Sequence, residues 1–206
     1  GRSMKPSTGH GGHDAPAGTM SVRFASFDRD WKQAAEDPLD LRVCECCPTS
    51  AAVTAEGPIA AFRNRTEDEV RDIHVSRFEN GKWTEPVAVH DDGWKIAGCP
   101  VNGPMLSARG RDVVLSWFTL KNEVGHAYVA FSSDAGRTFG APIQLDDAAA
   151  LGRVDVVLLP DGSAAATWIE FAAERSSFAM RRVEPSGRTS PAVAVAAIAG
   201  ARASGY

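Results

Sequence analysis

A turn signal recurs four times at a near-constant interval along this 206-residue chain. Its central residues are Asp30 in FDRDW, Gly81 in FENGKW, Gly136 in SSDAGRTF and Gly187 in VEPSGRT, giving intervals of 51, 55 and 51 residues. A proline follows each turn: Pro38, Pro86, Pro142 and Pro191. A period of this length means one supersecondary unit used repeatedly, each copy burying its apolar face against the next.

The units share a grammar. Ser50–Thr54 and Pro58–Asn64 are apolar runs joined by Ala55-Glu56-Gly57, Met105–Arg109 and Val113–Thr119 are joined by Gly110-Arg111-Asp112, and Val154–Leu159 and Ser163–Glu170 are joined by Pro160-Asp161-Gly162. Short apolar runs separated by turn residues read as β-hairpins. A third run precedes each turn signal (Val22–Phe27, Ile73–Phe78, Ala127–Ser132, Phe178–Val183), and a fourth follows it, as in Pro86–Val89 and Pro142–Leu145. No stretch carries a helical apolar period, so the fold class is all-β. Four strands per unit of this length predict a β-propeller blade, in which radial repetition leaves few exposed edges.

Within that grammar, Ser132, Asp134, Gly136, Thr138 and Phe139 spell S-x-D-x-G-x-T-F. This resembles the Asp-box of the sialidase (neuraminidase, BNR-repeat) superfamily of propellers, with one full copy and three degraded ones across most of the chain. As a physical device the motif is a hairpin clamp: a carboxylate accepts amide protons across the turn, glycine takes a positive φ, and the aromatic fills the space between strands. Sialidase-like propellers usually close with six blades. The resemblance therefore implies about three and a half blades of such a ring. The units are expected at 1–40, 41–97, 98–151 and 152–200, with another opening at 201–206, all within one partial domain. That phasing leads us to expect a piece of a longer protein, ahead of two chains sharing a ring or a four-bladed closure by 201–206.

Net charge is −4 with a sequence pI near 5.7, and no basic stripe or membrane-length apolar run is present. Nucleic acid and a membrane span are therefore not expected. Four cysteines make an even set that suits disulfides and an exported, secreted or periplasmic location.

Strand order fixes which loops share a rim. The second-to-third loops (His10–His13, Arg63–Asp72, Leu120–His126, Phe171–Ser176) are expected beside the connections between units. Those connections hold Cys44–Cys47, Asp91–Cys99, and Arg153 with Asp155. All four cysteines, three histidines and the RNRTEDEVRD charge run thus fall on one side. Arg63, Arg65, Arg71, Arg153 and Arg202 are candidates to bind an anionic group bidentately, with Trp94 and Asn102 beside them. Resemblance to sialidases implies a glycan substrate, three carboxylate-binding arginines, an acid aspartate and a Tyr–Glu nucleophile pair. Asp72, Asp92 and Asp155 are the candidate acids, and Tyr206 with Glu69 or Glu170 the candidate pair. The Arg-Ile-Pro motif that carries the first sialidase arginine has no counterpart here.

Cys47-Pro48 and Cys99-Pro100 occupy equivalent places in adjacent units, 52 residues apart. A disulfide from Cys99 to Cys44, Cys46 or Cys47 would staple the two units. Alternatively the four thiols, with Met4, His10 and His13, supply soft ligands for Cu(I) or zinc. A non-catalytic propeller that binds a ligand or partner needs neither metal nor turnover.

Overall fold

A computed structural model describes residues 19–198. Every regular element in it is a strand, and among the described residues no helix is long and apolar enough to cross a membrane. The chain forms successive antiparallel meanders. β1 (Met20–Phe27) pairs with β2 (Gln33–Val43). In the second sheet β3 (Ser50–Thr54), β4 (Gly57–Arg63) and β5 (Ile73–Glu79) run in order, and both β6 (Lys82–Trp83) and β7 (Val87–Ala88) pair with β5. The third is β8 (Met105–Arg109), β9 (Asp112–Lys121), β10 (Val124–Ser132) and β11 (Ile143–Gln144). The fourth is β12 (Ala149–Leu158), β13 (Ala164–Ala172), β14 (Arg175–Val183) and β15 (Val193–Ile198).

Alternation builds these strands. In β12, Val154, Val156 and Leu158 point inward while Asp155 and Val157 face out. Their inward face meets Val114, Phe118, Val129 and Leu145 of the third sheet and Trp168 of β13. The second and third sheets bury Ile59, Ile73, Val75, Leu115 and Trp117 together. Leu39, Val43 and Phe62 join the first to the second, beside Phe24 and Trp83. Each meander therefore covers its neighbour face to face, as a stacked repeat requires.

Three expected loops are shorter than the sequence suggests. Leu120–His126 and Phe171–Ser176 shrink to two-residue turns at Asn122-Glu123 and Ala173-Glu174, all four residues having positive φ as a type I′ hairpin demands. The connection carrying Arg153 and Asp155 belongs to β12 itself. Gly152 (φ 96°) and Arg153 (φ 55°) form an irregularity in the β12–β13 register, and the strand continues through it.

The S-x-D-x-G-x-T-F turn closes as a clamp. Asp134 Oδ1 accepts from the Thr138 amide at 2.9 Å, and Oδ2 from the Thr138 hydroxyl at 2.6 Å. Ser132 Oγ accepts the Gly136 amide at 2.9 Å and donates to Asp134 at 2.7 Å. Partial burial works against the charge on Asp134, but the Thr138 and Ser132 donors outweigh it and hold the carboxyl down at about 2. Gly136 has φ 80°, and a Cβ there would stand 2.3 Å from Ile59 Cδ1, so the motif also docks the third sheet on the second. Phe139 packs into that same interface. In the first unit Asp28, rather than Asp30, takes the carboxylate role, accepting the Asp30 and Lys32 amides at 2.8 and 2.9 Å.

Candidate functional site

The loop of residues 64–72, the CECC segment and the 91–102 connection converge beside the end of β4. Cys44 N donates to Arg63 O at 2.9 Å, Arg71 N to Trp94 O at 2.9 Å, and Ile96 N to Glu69 O at 3.0 Å. The sequence thus brings distant charge and sulfur to one place.

Arg63 is at its centre and only 1% exposed. Its Nε donates to Asn102 O at 2.8 Å, Nη1 to Arg71 O at 2.5 Å and Nη2 to Phe118 O at 2.6 Å. The guanidinium carbon lies 4.9 Å from the Trp94 ring centroid. Trp94, 6% exposed, rests edge-on against Phe118 with centroids 5.4 Å apart. Burial pushes the Arg63 pKa down from its ordinary value, while Cys47, Cys44, Asp92 and Asp72 oppose the shift. Each of the three guanidinium nitrogens donates to a main-chain carbonyl, and the Trp94 ring covers the group. It is a cross-link between three segments and presents nothing to a ligand.

Arg65 and Arg71 are likewise engaged. Arg65 makes a bidentate pair with Glu69, Nη2 donating to Oε1 at 2.7 Å and Nε to Oε2 at 3.1 Å, and also bonds Glu45. Arg71, 3% exposed, donates to Glu69 at 2.8 Å, lies 3.6 Å from Glu45 and reaches Cys44 Sγ at 3.4 Å. Hydrogen bonds from Arg65 and Arg71 hold Glu69 at about 2. Glu45 was not among the sequence candidates. Its place inside C-E-C-C, opposite two arginines of the next loop, was the available signal.

Asp72 is buried and accepts the Gly93 and Trp94 amides at 3.0 and 3.1 Å, fixing the Asp91–Cys99 connection to β5. Asp92 accepts from Trp117 Nε1 at 2.7 Å and contacts His90 Nδ1 at 2.8 Å. Asn102 is 3% exposed; its Oδ1 receives the Arg153 amide at 3.0 Å, and its buried Nδ2 has no partner among the described residues. Gly103 admits this arrangement, since a Cβ there would lie 1.9 Å from Pro48 O. Arg153 and Asp155 are exposed on β12, with Asp155 Oδ1 accepting the Val156 amide at 2.8 Å. Glu170 accepts from Trp168 Nε1 at 2.9 Å. Tyr206, Arg202, Met4, His10 and His13 lie outside the described residues.

Cys46 is bonded to Cys99 across a 53-residue separation, with Cα atoms 6.1 Å apart. Cys44 and Cys47 remain thiols, with Sγ atoms 2.8 Å apart; Cys44 Sγ is also 3.6 Å from Cys46 Sγ. The sulfurs of Cys44, Cys46 and Cys47 all lie within 4.8 Å of one another. With Cys46 in the disulfide, two thiols remain to ligate a soft metal. The hydrogen bond from Cys47 and the Arg71 guanidinium outweigh burial at Cys44 and bring it to about 6. Holding its proton toward Cys44, and buried, Cys47 is pushed up. A separate groove of about 420 Å³ is lined by Asp112, Phe131, Pro142, Ile143, Leu158 and Pro185, with none of these cysteines or arginines in its wall.

No family model and no curated protein matches the chain. Among solved structures, Kuenenia stuttgartiensis hydrazine synthase aligns over 83% of this chain and 42% of that one, at 16% identity and TM-score 0.48. A mannose phosphorylase from Leishmania mexicana aligns over 69% and 48% respectively, at 11% identity and TM-score 0.37. The chain spans less than half the length of either protein.

Proposed function

We propose that these meanders are blades of an Asp-box β-propeller of the sialidase type, and that the protein is a non-hydrolytic recognition module whose cysteine-bearing rim docks a ligand or partner protein. The clamp formed by Ser132, Asp134, Gly136 and Thr138 supports the propeller reading. The observation that carries the functional reading is the state of the arginines. Arg63 is surrounded by carbonyls, and Arg65 and Arg71 are neutralised by Glu45 and Glu69. A carboxylate clamp needs guanidinium donors pointing into solvent-accessible space, because pulling them from existing partners costs what the ligand would return. The Cys46–Cys99 staple supports an exported location, secreted or periplasmic.

The test is incubation of the folded protein with a fluorogenic sialoside, with released sialic acid measured directly. No release is expected, from the natural protein or from Arg65→Ala. Release that Arg65→Ala abolishes, in a variant with an unchanged melting temperature, would replace this reading with that of an exo-α-sialidase.

A further inference from the structure

The four cysteine residues are not equally exposed. Cys99 is exposed, Cys46 and Cys47 are half-buried, and Cys44 is buried at 5%. The disulfide thus has one exposed cysteine, Cys99, and lies beside a thiol pair of which Cys44 is buried. Cys44 Sγ touches both the disulfide sulfur of Cys46, at 3.6 Å, and the thiol of Cys47, at 2.8 Å. Arg71 Nη1, 3.4 Å from Cys44 Sγ, supplies a positive partner for a thiolate there. A purely structural staple needs Cys46 and Cys99 alone.

We propose that Cys44, Cys46, Cys47 and Cys99 form a two-step thiol–disulfide relay, which passes two electrons from the Cys44/Cys47 pair through the Cys46–Cys99 disulfide, by way of the exposed Cys99, to a disulfide-bearing partner. First, Cys44 thiolate attacks Cys46 Sγ. The Cys44–Cys46 bond forms, the Cys46–Cys99 bond breaks, and its electron pair leaves on Cys99. Cys47 then attacks Cys44 Sγ, forming Cys44–Cys47 and releasing Cys46. The protons lost by Cys44 and Cys47 are regained at Cys99 and Cys46, so this internal exchange needs no outside oxidant. Cys99 thiolate next attacks the partner disulfide, expelling one partner thiol. Cys46 resolves the mixed disulfide, expelling the second and restoring Cys46–Cys99. The chain finishes with two disulfides, and the partner with two thiols.

Oxidised glutathione serves as the probe. The native chain, before and after exposure, is acid-quenched, alkylated and mapped by peptide mass spectrometry. Before exposure, a fraction of chains is expected to carry Cys44–Cys47 with Cys46 and Cys99 alkylated. After exposure, both thiols are lost, two glutathione molecules are released per chain, and no glutathione adduct accumulates. Cys99→Ser is expected to slow oxidation of the Cys44/Cys47 pair by roughly tenfold or more, since the accessible sulfur is gone. Finding Cys44–Cys47 in no untreated chain overturns the relay. So does unchanged oxidation in folded Cys99→Ser, or four thiols that hold zinc or copper stoichiometrically. The trapping experiment uses the unaltered chain, so a misfolded variant leaves the test intact.

Discussion

Arg63 Nη2 donates to the main-chain carbonyl of Phe118, 55 residues further along, at 2.6 Å. That bond joins the end of β4 to the middle of β9, and so one meander to the next. Burying a guanidinium is costly unless all its donors are matched and aligned. Here the matches are carbonyls, which no ligand displaces without leaving them bare.

Arg63→Ala should therefore reduce stability by about 3–5 kcal/mol, because it strands three buried carbonyls and opens a void under Trp94. Arg63→Lys should recover only part of this, since one ammonium cannot span three divergent acceptors. Urea denaturation of the three proteins checks both. A loss of ligand affinity at unchanged stability would mean that the side chain faces a ligand after all.

Asp134 makes the Asp-box clamp sensitive to acid. Its carboxyl is held at about 2, below the ordinary 3.8, so its contribution is complete above 3.8 and is lost as pH falls toward 2. Asp134→Asn should flatten the stability profile across that window and leave it parallel to the natural protein's above pH 5. Chemical denaturation as a function of pH reads the difference.

Reducing the Cys46–Cys99 bond opens a 53-residue loop that contains the whole second meander, β3 to β7. Loss of roughly 2–4 kcal/mol is expected, from greater freedom of the unfolded chain. The melting temperature should fall on adding a dithiol reductant, and Cys46→Ser should show the lower value without it.

Gly136→Ala and Gly103→Ala should differ in cause. At Gly136 the new methyl meets the movable end of Ile59, but the backbone has φ 80°, which penalises any side chain. At Gly103 it meets the carbonyl oxygen of Pro48, which belongs to the backbone and cannot rotate away. Both should destabilise by about 1 kcal/mol or more. Hydrogen exchange should locate the second effect at 44–50 and 99–103.

Strand identity and phase were legible in the amino-acid order because both are local. The alternation in Val154, Val156 and Leu158 and the positive-φ Gly136 in SSDAGRTF act over a few residues, and the 51–55-residue interval repeats them. The grouping of the CECC segment with RNRTEDEVRD followed from that phase alone. Partner choice did not. Whether Arg63 faces solvent or three carbonyls, and which cysteine takes Cys99, depends on distances of one or two ångströms set by packing between meanders. Such distances arise from the summed shapes of side chains far apart in the chain, and only the tertiary structure decides them.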